Sequence, residues 1–290
     1  MVQIIFRDSV DSYWELRQKE QKANNRSVVP NPHLDALKRE VARIERGSAP
    51  AAVNRFETGS RAMDIALGGG MTRGGLHEIF AATMMDEPSA AAFTITLALR
   101  ASNEKPIVWV RQDFVGLEMG EVYAPGLNEL GLSPDRLILV QARDGPDVLR
   151  AAEEAARCSS VGAVVVEPWG NPKTLNLVAT RRLSLASMRS EVPLLMMRAG
   201  GAPIPSAATT RWNVGAAHST CLEAEAPGNP AFTVSLLRDR SSAPGRKWVV
   251  EWDRDRRVFK DISSAPSTTL SGGMVSLPVS RLPEARAGTG

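Results

Sequence analysis

Glu167 closes the β-branched run Val161–Val166 (VGAVVV). A carboxylate at the end of a buried strand is the group that holds a metal ion through water in many nucleotide-binding α/β domains. It works there beside a phosphate-binding loop: glycines let backbone N–H groups approach the phosphates, a lysine meets the β/γ charge, and a Ser or Thr hydroxyl holds magnesium. The place for such a loop is between a strand expected over Leu76–Phe80 and a helix expected over Ala90–Arg100. The intervening residues lack that chemistry. Ala81 to Ala92 contains no glycine and no lysine, and it carries Asp86 and Glu87, which repel a triphosphate. Fitting the helix pattern puts Ala91, Ala92 and Phe93 where the motif wants Gly, Lys and Ser/Thr. The expectation is therefore no nucleotide cofactor, no metal and no catalytic residue, with Glu167 a vestigial acid facing an emptied cleft. Asp113, just after the apolar run Ile107–Arg111 (IVWVR), stands near the usual place of a catalytic carboxylate, with a spacing that fits poorly.

No other constellation offers a reaction. His33, His77 and His218 are far apart in sequence, and Cys158 and Cys221 lack metal-ligand spacing. The two cysteines are expected to be reduced thiols of a cytoplasmic protein. No run of 18 apolar residues is present to span a membrane, and MVQIIFRDSV has no basic region followed by a long apolar stretch.

Hydrophobic residues make up 43% of the 290, enough for a sizeable core. Residues 1–52 are expected to form a helical arm: Asn31-Pro32 resembles an N-cap with proline at the first helical position, and Leu34, Leu37, Val41 and Ile44 make one apolar stripe. An α/β domain is expected over 53–262. Apolar runs at 107–111, 137–141 (LILVQ), 161–166 and 192–197 (VPLLMM) alternate with helix patterns at 147–157 and 175–188. Strands apolar throughout, separated by helices, imply a mostly parallel sheet covered on both faces. Short strand candidates at 233–237, 248–252 and 257–259 suggest an antiparallel extension of the same sheet, and the Ser/Thr/Pro/Gly-rich stretch 263–290 reads as a flexible tail.

The stretch TGSRAMDIALGGGMTRGGLHEIF, with its Thr-Gly-Ser turn, Met-Asp-Ile-Ala-Leu helix and Gly-rich break, resembles the opening of a RecA-type recombinase core. DRLILVQARDGPDVLRAAEEAARCSSVGAVVVE continues the likeness through strand, helix and metal-carboxylate strand. Together with TRWNVGAAHS, FTVSLLRDRSSAPGRKW and VVEWDRDRRVF, and with the altered loop, the chain is similar to the ImuA family of bacterial inducible-mutagenesis proteins over about Phe56 to Phe259. The resemblance implies a RecA-like fold and an accessory role in damage-induced (SOS) translesion synthesis. The implied partners are a Y-family polymerase-like protein of the ImuB type, an error-prone replicative-type DNA polymerase and, for some relatives, RecA.

Arg238 to Lys260 holds eight Lys/Arg against four Asp/Glu. Basic side chains beside aromatics can bind phosphates and stack on unpaired bases, so Arg238, Arg240, Arg246, Lys247, Trp248 and Trp252 are candidates for contact with single-stranded DNA or a polymerase partner. A solvated hairpin face over core tryptophans is the alternative. The leading expectation for the whole chain is a non-catalytic adaptor. A DNA-dependent ATPase with an unconventional loop, or an inhibitor that mimics a recombinase protomer, are the other two.

Overall fold

The computed structural model describes residues 54–223, 226, 228–239 and 245–262. The expected N-terminal arm and C-terminal tail, His33 and Arg240 lie outside them. Arg55–Phe56 (β1) and Met71–Thr72 (β2) form a small antiparallel pair around the helix Arg61–Ala66 (α1). This local unit follows from its residue types. Asp64 folds back so that its carboxylate accepts the Thr58 N–H at 2.8 Å, the Thr58 hydroxyl at 2.9 Å and the Gly59 N–H at 3.1 Å. Ser60 caps α1 by accepting the Met63 N–H at 3.1 Å. Gly70, at φ +106°, lies so close to the chain that a Cβ would stand 2.3 Å from the Phe56 carbonyl oxygen, which explains why the break ends in glycine.

The remaining strands are Leu76–Ala81 (β3), Ile107–Gln112 (β4), Leu137–Ala142 (β5), Ala163–Glu167 (β6), Leu194–Met197 (β7), Thr210–Ala216 (β8), Ala231–Asp239 (β9), Lys247–Asp253 (β10) and Val258–Asp261 (β11). They make one sheet in the order β11-β10-β9-β8-β3-β7-β6-β4-β5. From β8 to β5 all pairings are parallel, and β8 to β11 are antiparallel neighbours. The helices are Glu87–Ser102 (α2), Asp113–Met119 (α3), Ala124–Glu129 (α4), Gly145–Arg157 (α5) and Leu177–Ser190 (α6). The α/β fold, with its antiparallel C-terminal extension, is as the alternating pattern implies.

One face of the sheet packs on α5 and α6 through Val148, Ala152, Leu183 and Ala186. The other packs on α2, where Phe93 is the hub of an aromatic cluster. Its ring lies 5.2 Å from Phe259, 5.8 Å from Phe232 and 6.5 Å from Trp212. The antiparallel strands curl over α2, and the Trp252 indole N–H donates to the Leu130 carbonyl at 3.0 Å beyond α4.

Two expectations need correction. LILVQ is not a buried strand: among the described strands β5 is the sheet edge, and Ile138 and Leu139 are 50% and 40% exposed. Also, α2 starts at Glu87, not Ala90, because Asp86 sits at its N-cap and Pro88 fits its first turn, where a missing N–H is harmless.

Candidate functional site

Among the described residues, the carboxyl ends of β3, β4, β6 and β7 converge on the N-terminal half of α2, the part of an open α/β sheet where ligands bind. A single 3-10 turn, Met84–Asp86, joins β3 to α2. Asp86 accepts the Thr83 hydroxyl at 2.7 Å, the Thr83 N–H at 3.1 Å and the Ala216 N–H at 2.8 Å, tying the turn to the end of β8. Glu87 is buried at the first position of α2 and accepts the Gly200 N–H at 3.1 Å. The partly positive end of the helix, where a phosphate would be held, thus meets two of the chain's own carboxylates.

Ala91 and Ala92 lie in the second turn of α2, on the wall of a cavity of about 380 Å³. Phe93 faces the other way, into the aromatic core, so its position cannot present a hydroxyl to a metal. The far wall of the cavity is the segment from Met119 to Leu130, with Val122, Tyr123 and Leu127.

The floor is the seam between β4 and β6, where Arg111 stands in register with Glu167. Oε2 of Glu167 accepts both the Arg111 Nε–H, at 2.8 Å, and the Trp109 indole N–H, at 3.0 Å. Burial pushes the Glu167 carboxyl up from its ordinary value, opposed by the charge of Arg111 and by these two hydrogen bonds. Arg111 and Trp109 were not singled out from the sequence. The one available signal was a cation ending an otherwise apolar strand opposite the only acid of another.

The other candidates are dispersed. Asp113 begins α3 and is exposed, away from the cavity lining. His77 is fully buried between the Thr210 hydroxyl (2.8 Å) and the Thr72 carbonyl (2.9 Å), and burial lowers its pKa to about 4. His218, Cys158 and Cys221 are exposed, and both cysteines are free thiols. No cluster of three His, Cys, Asp or Glu that could hold a metal ion occurs among the described residues.

Arg238 on β9, Lys247 at the start of β10 and Arg246 just before it are exposed. Trp248 is half-buried with its ring 6.1 Å from that of Trp212, and Trp252 is fully buried against Phe259. Trp252 has no face open to a base. No described helix is long and apolar enough to cross a membrane.

No family model matches the chain. Over 199 residues it is 33% identical to the protein ImuA of Caulobacter vibrioides, covering 63% of this chain and 77% of that protein. It is 30% identical over 143 residues to the RecA protein of Chlorobium chlorochromatii, covering 47% of this chain and 38% of RecA. Among solved structures it is similar to the RadB recombinase, at 16% identity and a TM-score of 0.48, over 72% of this chain and 100% of that one. The mostly parallel sheet agrees with the RecA-like fold expected from the sequence, and by its match to the Caulobacter protein the chain belongs to the ImuA family.

Proposed function

We propose that this chain is a non-catalytic accessory protein of damage-induced, error-prone translesion DNA synthesis, working in the cytoplasm as a RecA-like adaptor over residues 53–262. Its partners in this reading are a Y-family polymerase-like protein of the ImuB type, an error-prone replicative-type polymerase and RecA. Family membership supports the setting. The observation that carries the non-catalytic part is the start of α2, where Glu87 turns a buried carboxylate onto the Gly200 N–H and Asp86 closes the preceding turn. A triphosphate there would face two fixed negative charges with no lysine between Ala81 and Ser102 to offset them. Exposed Arg238, Arg246 and Lys247, with half-buried Trp248 next to Lys247, contribute contact with single-stranded DNA or a partner.

The test is a titration of the full chain with fluorescent ATP and magnesium, with and without single-stranded DNA. No saturable nucleotide binding up to high micromolar concentration is expected. DNA binding, where observed, is expected to weaken when Arg238 and Arg246 are reversed to Glu. Saturable nucleotide binding that is lost in Glu167→Gln would make the loop functional and establish the DNA-dependent ATPase instead.

A further inference from the structure

The cavity between α2 and the Met119–Leu130 segment remains open although two carboxylates guard the start of α2. Its volume, about 380 Å³, is at the small end of ligand pockets and suits one large side chain with its adjoining backbone. Ala92, Ile95, Val122 and Leu127 make most of its wall apolar.

Its polar floor is more specific. The Arg111 side chain is 7% exposed and lines the cavity. Its Nε–H is taken by Glu167, whereas Nη1 has no hydrogen-bond partner among the described residues and lies 3.9 Å from Glu121. A buried N–H without an acceptor is unfavourable, so the site is incomplete until an acceptor arrives from the cavity side. That acceptor should be neutral. Glu167 already balances the Arg111 charge, and Glu87 and Glu121 add negative charge around the same space. An anion would meet net repulsion, and a peptide carbonyl would not. Glu121, 70% exposed at the rim, favours a cation beside whatever enters.

We propose that this cavity is the docking pocket for a partner's peptide segment: an apolar side chain of Leu or Phe size fills it, the segment's backbone carbonyl accepts from Arg111 Nη1, and a flanking Lys or Arg meets Glu121. This rests on the adaptor reading and gives that adaptor a specific contact.

The probe is a series of acetylated, amidated Arg-X-Arg tripeptides, with X as Leu, Phe, Ala or Glu, added to full-length protein. The readout is the Trp109 indole N–H resonance, assigned with Trp109→Phe. Saturable shifts are expected for Leu and Phe, with at least tenfold weaker binding for Ala and none for Glu. Ala92→Leu, which fills the cavity, should abolish the shift. Glu121→Lys, a change at an exposed side chain that leaves folding intact, should weaken binding at least fivefold. No saturable shift with any peptide, or unchanged binding in both variants, would overturn the proposal. If the peptides fail while the chain still co-purifies with its polymerase-like partner, the pocket assignment falls and the adaptor reading stands. If co-purification also fails and ATP is bound, both fall.

Discussion

Two seams of one sheet bury a glutamate against arginine, with opposite outcomes. At the β3–β8 seam, Glu78 is in register with Arg211 and both its oxygens are engaged. Oε1 accepts from Arg198 Nη1 at 3.1 Å, and Oε2 accepts from Arg211 Nε and the Ser206 hydroxyl, each at 2.9 Å. Arg198 reaches on to Asn171, and both guanidinium groups lie over the Phe80 ring, at 5.4 and 5.7 Å. At the β4–β6 seam, Glu167 receives two donors on one oxygen, and its arginine opens onto a cavity. At the first seam both carboxylate oxygens are taken, and neither Glu78 nor its two arginines line any of the described cavities. The second keeps donor capacity facing an empty space. Burial of an ion pair is thus no mark of function; what distinguishes the two is whether both carboxylate oxygens are engaged and whether the arginine faces a cavity.

Breaking the first seam should have the largest effect. Glu78→Ala leaves two guanidinium groups in the sheet without their shared carboxylate, and a loss of about 3–5 kcal/mol is expected from the shift in urea midpoint. A loss below ~1 kcal/mol would mean that water enters this seam.

The same seam contains a titratable group. His77 pairs with Thr210 one residue before Glu78 and is held neutral by burial, with a pKa near 4 against an ordinary 6.5. The unfolded chain takes up the proton first, so this contribution is intact above pH 6.5 and is lost as pH falls toward 4. Complete loss amounts to about 3 kcal/mol. Stability measured between pH 6.5 and 5, above most carboxylate titration, should fall more steeply in the parent than in His77→Gln. Parallel curves would remove His77 from the account.

The sequence made the parallel strands legible where they are flanked on both faces, because uninterrupted Val, Ile and Leu leave few alternatives. It hid β8, since TRWNVGA mixes an arginine and an asparagine into a buried strand, and only the Glu78 partner explains how Arg211 fits there. It misplaced β5 as buried because an apolar edge strand and an apolar central strand look alike in one dimension. The start of α2 was marked by Asp86 and Pro88, but the alanine run beyond them drew the helix boundary too late. The acid of the candidate site was legible as the last residue of an apolar strand. Its arginine was not, because the register that sets Arg111 opposite Glu167 depends on how β4 and β6 pair, a non-local choice.

The open seam should respond least to a change that preserves shape. In Glu167→Gln the side-chain oxygen can still accept from Trp109 and Arg111, but the charge opposite Arg111 is gone, and a loss of only about 1–2 kcal/mol is expected at neutral pH. The pH dependence has the opposite sign to that of His77. Burial raises the Glu167 pKa above its ordinary 4.5, so the folded chain binds this proton more tightly than the unfolded one. That contribution is fully present below 4.5 and is lost as pH rises through the raised value. Across that window, the parent should gain on Glu167→Gln as pH falls, whereas relative to His77→Gln it loses. A constant offset between parent and Glu167→Gln would mean that the charge of Arg111 and the two hydrogen bonds cancel the effect of burial, so that the carboxyl titrates alike in the folded and unfolded chains and the opposition to His77 disappears.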